Sequence, residues 1–339
     1  MNIFRIVPKR TDKRKYGNSP YRDVLTVLLF VFLLPYVISC LWGHIGEETA
    51  VFAREEEDGT EWLDMRYEVA VSGKWGKKRM SMQEYLIRKL YTVMPESEDG
   101  IFYEEEALKA QAVLLRTELW SLFLSRDPSE EGPLVLQEEN FWYREGEGDA
   151  AWEETRYRKA VLETDGIFLS YEGRPVKAAF FPVSNGQTRN AAEALQSDKY
   201  PYLKGVECGQ DIMAQNYQSR LILTKAEYCS RMENLFAVDA ADDAWWNGLE
   251  FLYDSAGYVS EVVFMDCRCS GETFRNALQL HSASFRAEWG EDTVTFYVKG
   301  VGHGFGMSQY GADRKAVEGE TFDKILADYF FQAELLKIE

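Results

Sequence analysis

The sequence predicts an α+β domain of mixed sheets with a buried central helix, preceded by a single N-terminal transmembrane helix. Three observations predict it. Residues 24–42 form an uncharged apolar run, and residues 104–124 are helix formers that are apolar over much of the helix girth. Between residues 65 and 300, strand-like and helix-like stretches mix without a regular βαβ rhythm, the pattern of an α+β fold.

Residues 1–23 carry seven Lys or Arg against two Asp, about +5, whereas the rest of the chain carries 31 against 54 acids, −23. Basic chain before the apolar run and acidic chain after it predict an N-in, C-out single-pass topology with an extracytoplasmic domain. At ~1.5 Å per residue, residues 24–42 just span a hydrocarbon core of ~30 Å. Pro35 would bend that helix, which a membrane span tolerates. Val37-Ile-Ser-Cys40 also looks like a lipoprotein processing box, so a lipidated Cys40 is the alternative to an uncleaved anchor. Both tether the same domain to the outer face of a membrane. A body this acidic repels phosphate backbones, which disfavours nucleic acid as a partner.

Residues 43–64 are polar and acidic and read as a stalk, and the domain proper is expected over 65–339. Tyr67–Val71 alternates like a strand, a helix is expected from Ser81 to Tyr91, and Met94-Pro95 ends it. The acids that open the helix at Glu104–Leu124 suit its dipole. Residues 127–155 read as an acidic surface excursion, and Tyr157–Glu163 as a helix. Residues 166–171 and 176–181 look like a hairpin about Glu172-Gly-Arg-Pro175. Strands are then expected at 219–223, 248–252, 259–264 and 293–298, and short helices at 225–236 and 271–280. No internal repeat is visible. The four cysteines past residue 40, Cys208, Cys229, Cys267 and Cys269, permit three disulfide pairings or plain buried thiols. Cys267-Arg-Cys269 lacks the spacing of a zinc knuckle.

The last strand leads into Gly300-Val-Gly-His-Gly-Phe-Gly-Met-Ser-Gln-Tyr-Gly-Ala312. Four glycines around one histidine make a sharply bending backbone that other atoms can approach closely, the usual form of a site loop. This run resembles the signature of the stage II sporulation protein D / LytB family, GHGxGMSQ(Y/W)GA. Further stretches match in the same order: Met82-Gln-Glu-Tyr-Leu86, Glu106-Ala-Leu-Lys-Ala-Gln-Ala-Val113 with Arg116-Thr117, Tyr200-Pro-Tyr-Leu-Lys-Gly-Val206, and a closing helix from Ile325 to Phe330. The resemblance implies binding or lytic transglycosylase cleavage of peptidoglycan glycan strands in sporulation (engulfment), with a cell-wall amidase/endopeptidase as a further partner. It also implies a substrate-binding set of His303, Gly304, Gly306, Ser308 and Gln309, joined by Ser184 and Thr188 from a second polar stretch.

One departure from the family pattern bears on catalysis. The family's proton-transferring Glu stands immediately before Met-Pro, and Val93 occupies that position here. A valine neither donates nor accepts a proton, which makes a catalytically degenerate member the expectation. Glu96 and Glu98 are the nearby substitutes, three or more residues from the required place. An active enzyme using a relocated acid and a non-enzymatic amidase activator are the alternatives. Phe181 stands where some members keep a zinc-binding His, and His44, His281 and His303 are the only histidines, so neither metal nor other cofactor is expected.

Overall fold

The structure is a computed structural model that describes residues 62–73, 76–95, 103–127, 129, 132–138, 150–236, 246 and 248–338, with residues 150–155 described by backbone alone. The expected anchor, the lipoprotein-like box and most of the expected stalk lie outside the described residues. Among those described, no helix is long and apolar enough to cross a membrane.

Strand β1 (Glu68–Gly73) turns back on β2 (Gly76–Ser81), and helix α1 (Met82–Val93) follows at once. The Ser81 hydroxyl accepts the Glu84 amide hydrogen at 3.1 Å, an N-cap worth about 1 kcal/mol. Helix α2 (Glu105–Leu124) is the expected central helix. Its residues from Ala107 to Thr117 are buried without interruption, so it packs on all sides rather than along one stripe. Around it lie α1, helix α3 (Ala150–Glu163), strand β4 (Ile167–Tyr171), and two C-terminal helices, α7 (Gln309–Val317) and α8 (Phe322–Tyr329).

The fold departs from the sequence expectation in three places. Residues 127–155 contain strand β3 (Leu134–Gln137), which pairs in parallel with β1, and α3 begins at Ala150 instead of Tyr157. The expected hairpin is short: β4 pairs with β5 (Arg174–Pro175) over two residues, and one further bond, from the Val176 amide to the Leu169 carbonyl at 3.1 Å, closes it. Phe180–Phe181, strand β6, leaves that sheet and pairs in parallel with β13 (Met307–Ser308). The other edge of β4 is taken by β14 (Glu334–Lys337).

A second apolar cluster packs helices α5 (Lys225–Phe236) and α6 (Gly271–Leu278) against two antiparallel sheets. One orders β11 (Phe285–Trp289), β12 (Thr293–Lys299) and β7 (Gln218–Thr224); the other orders β10 (Cys267–Ser270), β9 (Val259–Phe264) and β8 (Leu249–Tyr253). The short helix α4 (Ala191–Ala194) sits between the clusters in sequence. Cys208, Cys229, Cys267 and Cys269 are all free thiols.

The chain enters the fold through a fully buried ion pair. Arg116 Nε and Nη2 grip the Asp64 carboxylate at 2.7–2.9 Å, and the same guanidinium donates to the Val161 and Ile167 carbonyls at 3.1 Å. Asp165 caps the entry by accepting the Leu63 and Asp64 amide hydrogens at 2.9 and 3.0 Å. Asp64, which its acidic context places at the end of the stalk, therefore belongs to the fold. Arg116→Met leaves the buried Asp64 carboxylate without its counter-ion and takes a donor from the Val161 and Ile167 carbonyls. It is expected to cost about 3–5 kcal/mol in urea unfolding, whereas Arg79→Met at the exposed Arg79–Glu68 pair should leave the unfolding midpoint nearly unchanged.

Candidate functional site

The glycine loop leaves β12 and re-enters regular structure at β13, whose two residues pair with β6 before α7 begins. Its glycines are obligatory, but the atoms that approach them belong to the protein. A Cβ on Gly306 (φ +74°) would lie 2.0 Å from the Ala179 carbonyl oxygen, and one on Gly304 (φ +82°) 2.7 Å from Tyr258 Cζ and 2.9 Å from Arg189 Cδ. Arg189 holds the loop in place. Its amide donates to the Gly304 carbonyl at 2.8 Å, its guanidinium lies 4.7 Å from the Phe305 ring centroid, and its charge is met by Asp254 at 2.6 Å.

His303 is half-buried between Phe181 and Phe305, with ring centroids 5.5 and 6.0 Å away. Its Nδ1 accepts the Phe305 amide hydrogen at 3.1 Å, while the Phe180 carbonyl faces the ring as a second partner. Burial pushes its pKa below the usual histidine value, with the nearby Glu272 acting in the opposite sense. A neutral imidazole held on both sides is a fixed contact, poorly placed to shuttle protons. Glu272 is the carboxylate whose charge reaches His303; Arg275 binds its Oε2 at 2.8 Å, while its buried Oε1 stands 3.8 Å from Arg189 and receives no hydrogen bond.

Four residues expected to face a sugar are turned inward instead. Ser308 caps α7 by accepting the Gly311 amide hydrogen at 3.2 Å, and its hydroxyl donates to Asp211 Oδ2 at 2.6 Å. The Ser184 amide donates to the same oxygen at 2.7 Å, and the Ser184 hydroxyl accepts the Gly186 amide hydrogen in a local turn. Thr188 Oγ1 donates to the Lys204 carbonyl and accepts the Val206 amide hydrogen. Gln309 Nε2 donates at 3.0 Å to the Val93 carbonyl and at 3.1 Å to Gln111 Oε1. Ser184, Thr188 and Ser308 are fully buried and Gln309 is nearly so. Buried polar groups need partners, and these have found them within the chain. Their part is to frame the loop.

The Gln309 contact joins the glycine loop to the end of α1. Through one amide, the first residue of α7 reaches the backbone of Val93 and the middle of α2. Val93 itself is half-buried, packed against the main core. Glu96 and Glu98 lie outside the described residues.

This chain is 32% identical to stage II sporulation protein D of Bacillus subtilis (strain 168) over 299 residues, which cover 84% of each chain. The chain belongs to the stage II sporulation protein D family. The corresponding protein of Bacillus amyloliquefaciens is 31% identical over 263 residues, 75% of this chain and 73% of that one. The family model, described as a stage II sporulation protein, matches residues 73–171, from the end of β1 through α1 and α2 to the end of β4. Val93 lies inside that match, and the glycine loop lies beyond it.

Asp211 is the site residue that sequence inspection misses. It is fully buried and organises both Ser184 and Ser308, yet nothing in Cys208-Gly-Gln-Asp-Ile-Met213 distinguishes it from an exposed turn acid. Gln111 lies within the resembling Glu106–Val113 run, but its role depends on the Gln309 contact 198 positions away.

Two measurements test this frame. Gly306→Ala forces a Cβ into the Ala179 carbonyl and should lower the melting temperature strongly, whereas Gly319→Ala, with open space around its Cβ position, should lower it far less. Burial raises the Asp211 pKa above its unfolded value of 3.8. The folded state then binds the extra proton between the two values, so stability from this group falls as pH rises from 3.8 through the folded pKa and is level above it. Denaturant titrations across that window should show the fall in the native chain and a flatter profile in Asp211→Asn.

Proposed function

We propose that this chain is a membrane-tethered, catalytically degenerate member of its family that binds peptidoglycan glycan strands during sporulation. The observation that carries the reading is Val93, an aliphatic side chain at the helix end where Gln309 ties the glycine loop to α1. General acid–base cleavage of a glycosidic bond requires a group that gives and takes a proton within ~3 Å of the reacting atoms. Neither Val93 nor the amides of Gln309 and Gln111 can do so, and the Glu272 carboxylate is engaged by arginines. Family membership supports the sporulation setting, as does the name that both relatives carry, stage II sporulation protein D. The basic start, the apolar run at 24–42 and the acidic remainder support a tether with the domain outside the cytoplasm.

Incubation of the purified chain with peptidoglycan sacculi should retain it on the pellet and release no anhydro-muropeptides. Release of those products would restore the enzyme reading, and Glu96→Gln and Glu98→Gln would then locate the acid by abolishing it. Acceleration of a purified amidase without any cleavage by the chain alone would instead favour the activator role. Val93→Glu is expected to give measurable lytic product from the same sacculi, because the frame around residue 93 is intact.

A further inference from the structure

An apolar patch that the site does not use lies where the chain enters the fold. Tyr67, half-buried just after the short 3-10 helix Leu63–Arg66, packs against Trp120 and Phe123 with ring centroids 5.2 and 5.4 Å away. Trp120 in turn lies 6.2 Å from Phe168 on β4, and Leu336 on β14 stands directly across the ladder from Phe168, on the same face. Aliphatic side chains open to solvent flank this line of rings: Met65 is 53% exposed, Leu122 42%, Leu124 59% and Leu336 38%. Single exposed apolar side chains are ordinary on a soluble surface, whereas these border one connected cluster.

Its position is set by the entry itself. Leu63 packs over Gly166, where a Cβ would meet its Cδ1 at 2.5 Å, and the Ile338 amide donates to the Gly166 carbonyl at 2.8 Å. The first and last described turns of the chain thus meet beside β4, next to Phe168. In the sequence, the nineteen residues 43–61 separate the apolar run from Trp62. At ~3.4 Å per residue, a chain of that length keeps this end of the domain within about 65 Å of any bilayer that holds residues 24–42. The surface charges flanking the patch are Arg66, Arg126 and Lys337 against Glu68 and Glu334, and Glu68 is paired with Arg79. This end is close to neutral on a chain whose net charge is −18.

We propose that this end of the folded domain rests on the lipid surface, with Met65, Leu122, Leu124 and Leu336 entering the boundary between headgroups and acyl chains and Tyr67 and Trp120 lying at headgroup level. The residue types suit that place. Tyr and Trp carry an apolar body and a polar tip, which fits the membrane–water interface, and a few protruding aliphatic side chains give a shallow, reversible contact. A near-neutral rim spares this end the repulsion that an acidic surface meets at an anionic headgroup layer. The tether also makes a contact that is weak in free solution effective, because it holds the patch at high local concentration near the bilayer. The proposal rests on the membrane tether proposed above and adds a second contact, made by the folded domain, which fixes which end of it faces the lipid.

The test reconstitutes the full chain in vesicles of phosphatidylethanolamine and phosphatidylglycerol that contain a lipid with a photoreactive diazirine at the top of its acyl chain, and maps the lipid adducts by mass spectrometry after illumination. Adducts are expected on peptides covering residues 62–67, 118–126 and 335–338 as well as on 24–42. The triple variant Met65→Ser, Leu124→Ser, Leu336→Ser should lower the adducts on the first three by about tenfold and leave those on 24–42 unchanged. Met213→Ser, an exposed apolar residue elsewhere on the surface, should change none of them. All these side chains are exposed, so unchanged melting temperatures separate a lost contact from a lost fold, and the map of the native chain needs no variant at all. Adducts confined to 24–42, or an equal loss in Met213→Ser, overturn the contact and leave the tether standing. Absence of adducts from 24–42 as well overturns both. Self-association in detergent that the triple variant abolishes also overturns the lipid contact and assigns the patch to a second copy of the chain.

Discussion

The fold is organised by the burial of one helix on every side, and within it by Arg116. A charged group with no solvent exposure survives only where its donors are matched, and here they are spent on the Asp64 carboxylate and on the Val161 and Ile167 carbonyls. Those partners come from the chain's entry, from α3 and from β4, so a single side chain fixes three segments against α2. The next residue along the helix adds to this: Thr117 Oγ1 accepts the Leu169 amide hydrogen at 2.8 Å and pins the same strand. On another side of the helix, Gln111 receives Gln309 and so sets the depth at which α7 docks. The geometry around Val93 follows from this docking.

Much of this architecture is legible from local signals. Ser81 ahead of an apolar helical spacing marks the start of α1, Met94-Pro95 marks its end, and the composition of α2 marks it as buried on all sides. What is illegible depends on partners far away in the chain. Strand β3 is four residues long and is a strand only because β1 offers it a parallel edge. Phe180 and Phe181 carry strand propensity, but nothing local says that they pair with Met307 and Ser308 instead of extending β5. Asp211 looks like a surface acid until Ser184 and Ser308 converge on one of its oxygens.

The glycine loop shows how a motif can be recognised while its neighbours in space stay unread. Small residues promise close approach without naming what approaches. Here Ala179, Tyr258 and Arg189 take the space at Gly306 and Gly304, and the polar residues that follow are consumed in holding the turn. Within the loop, His303 and Phe305 are the half-buried rings that remain.

The four thiols carry a practical corollary. With every one of them unlinked, the described fold draws no stability from covalent crosslinks. Burial lifts Cys208 and Cys269 to about 11, so at neutral pH little of either is thiolate and both react slowly with oxidants and alkylating agents. Recombinant material made in a reducing cytosol and purified under dithiothreitol would therefore lose no crosslink of the described fold.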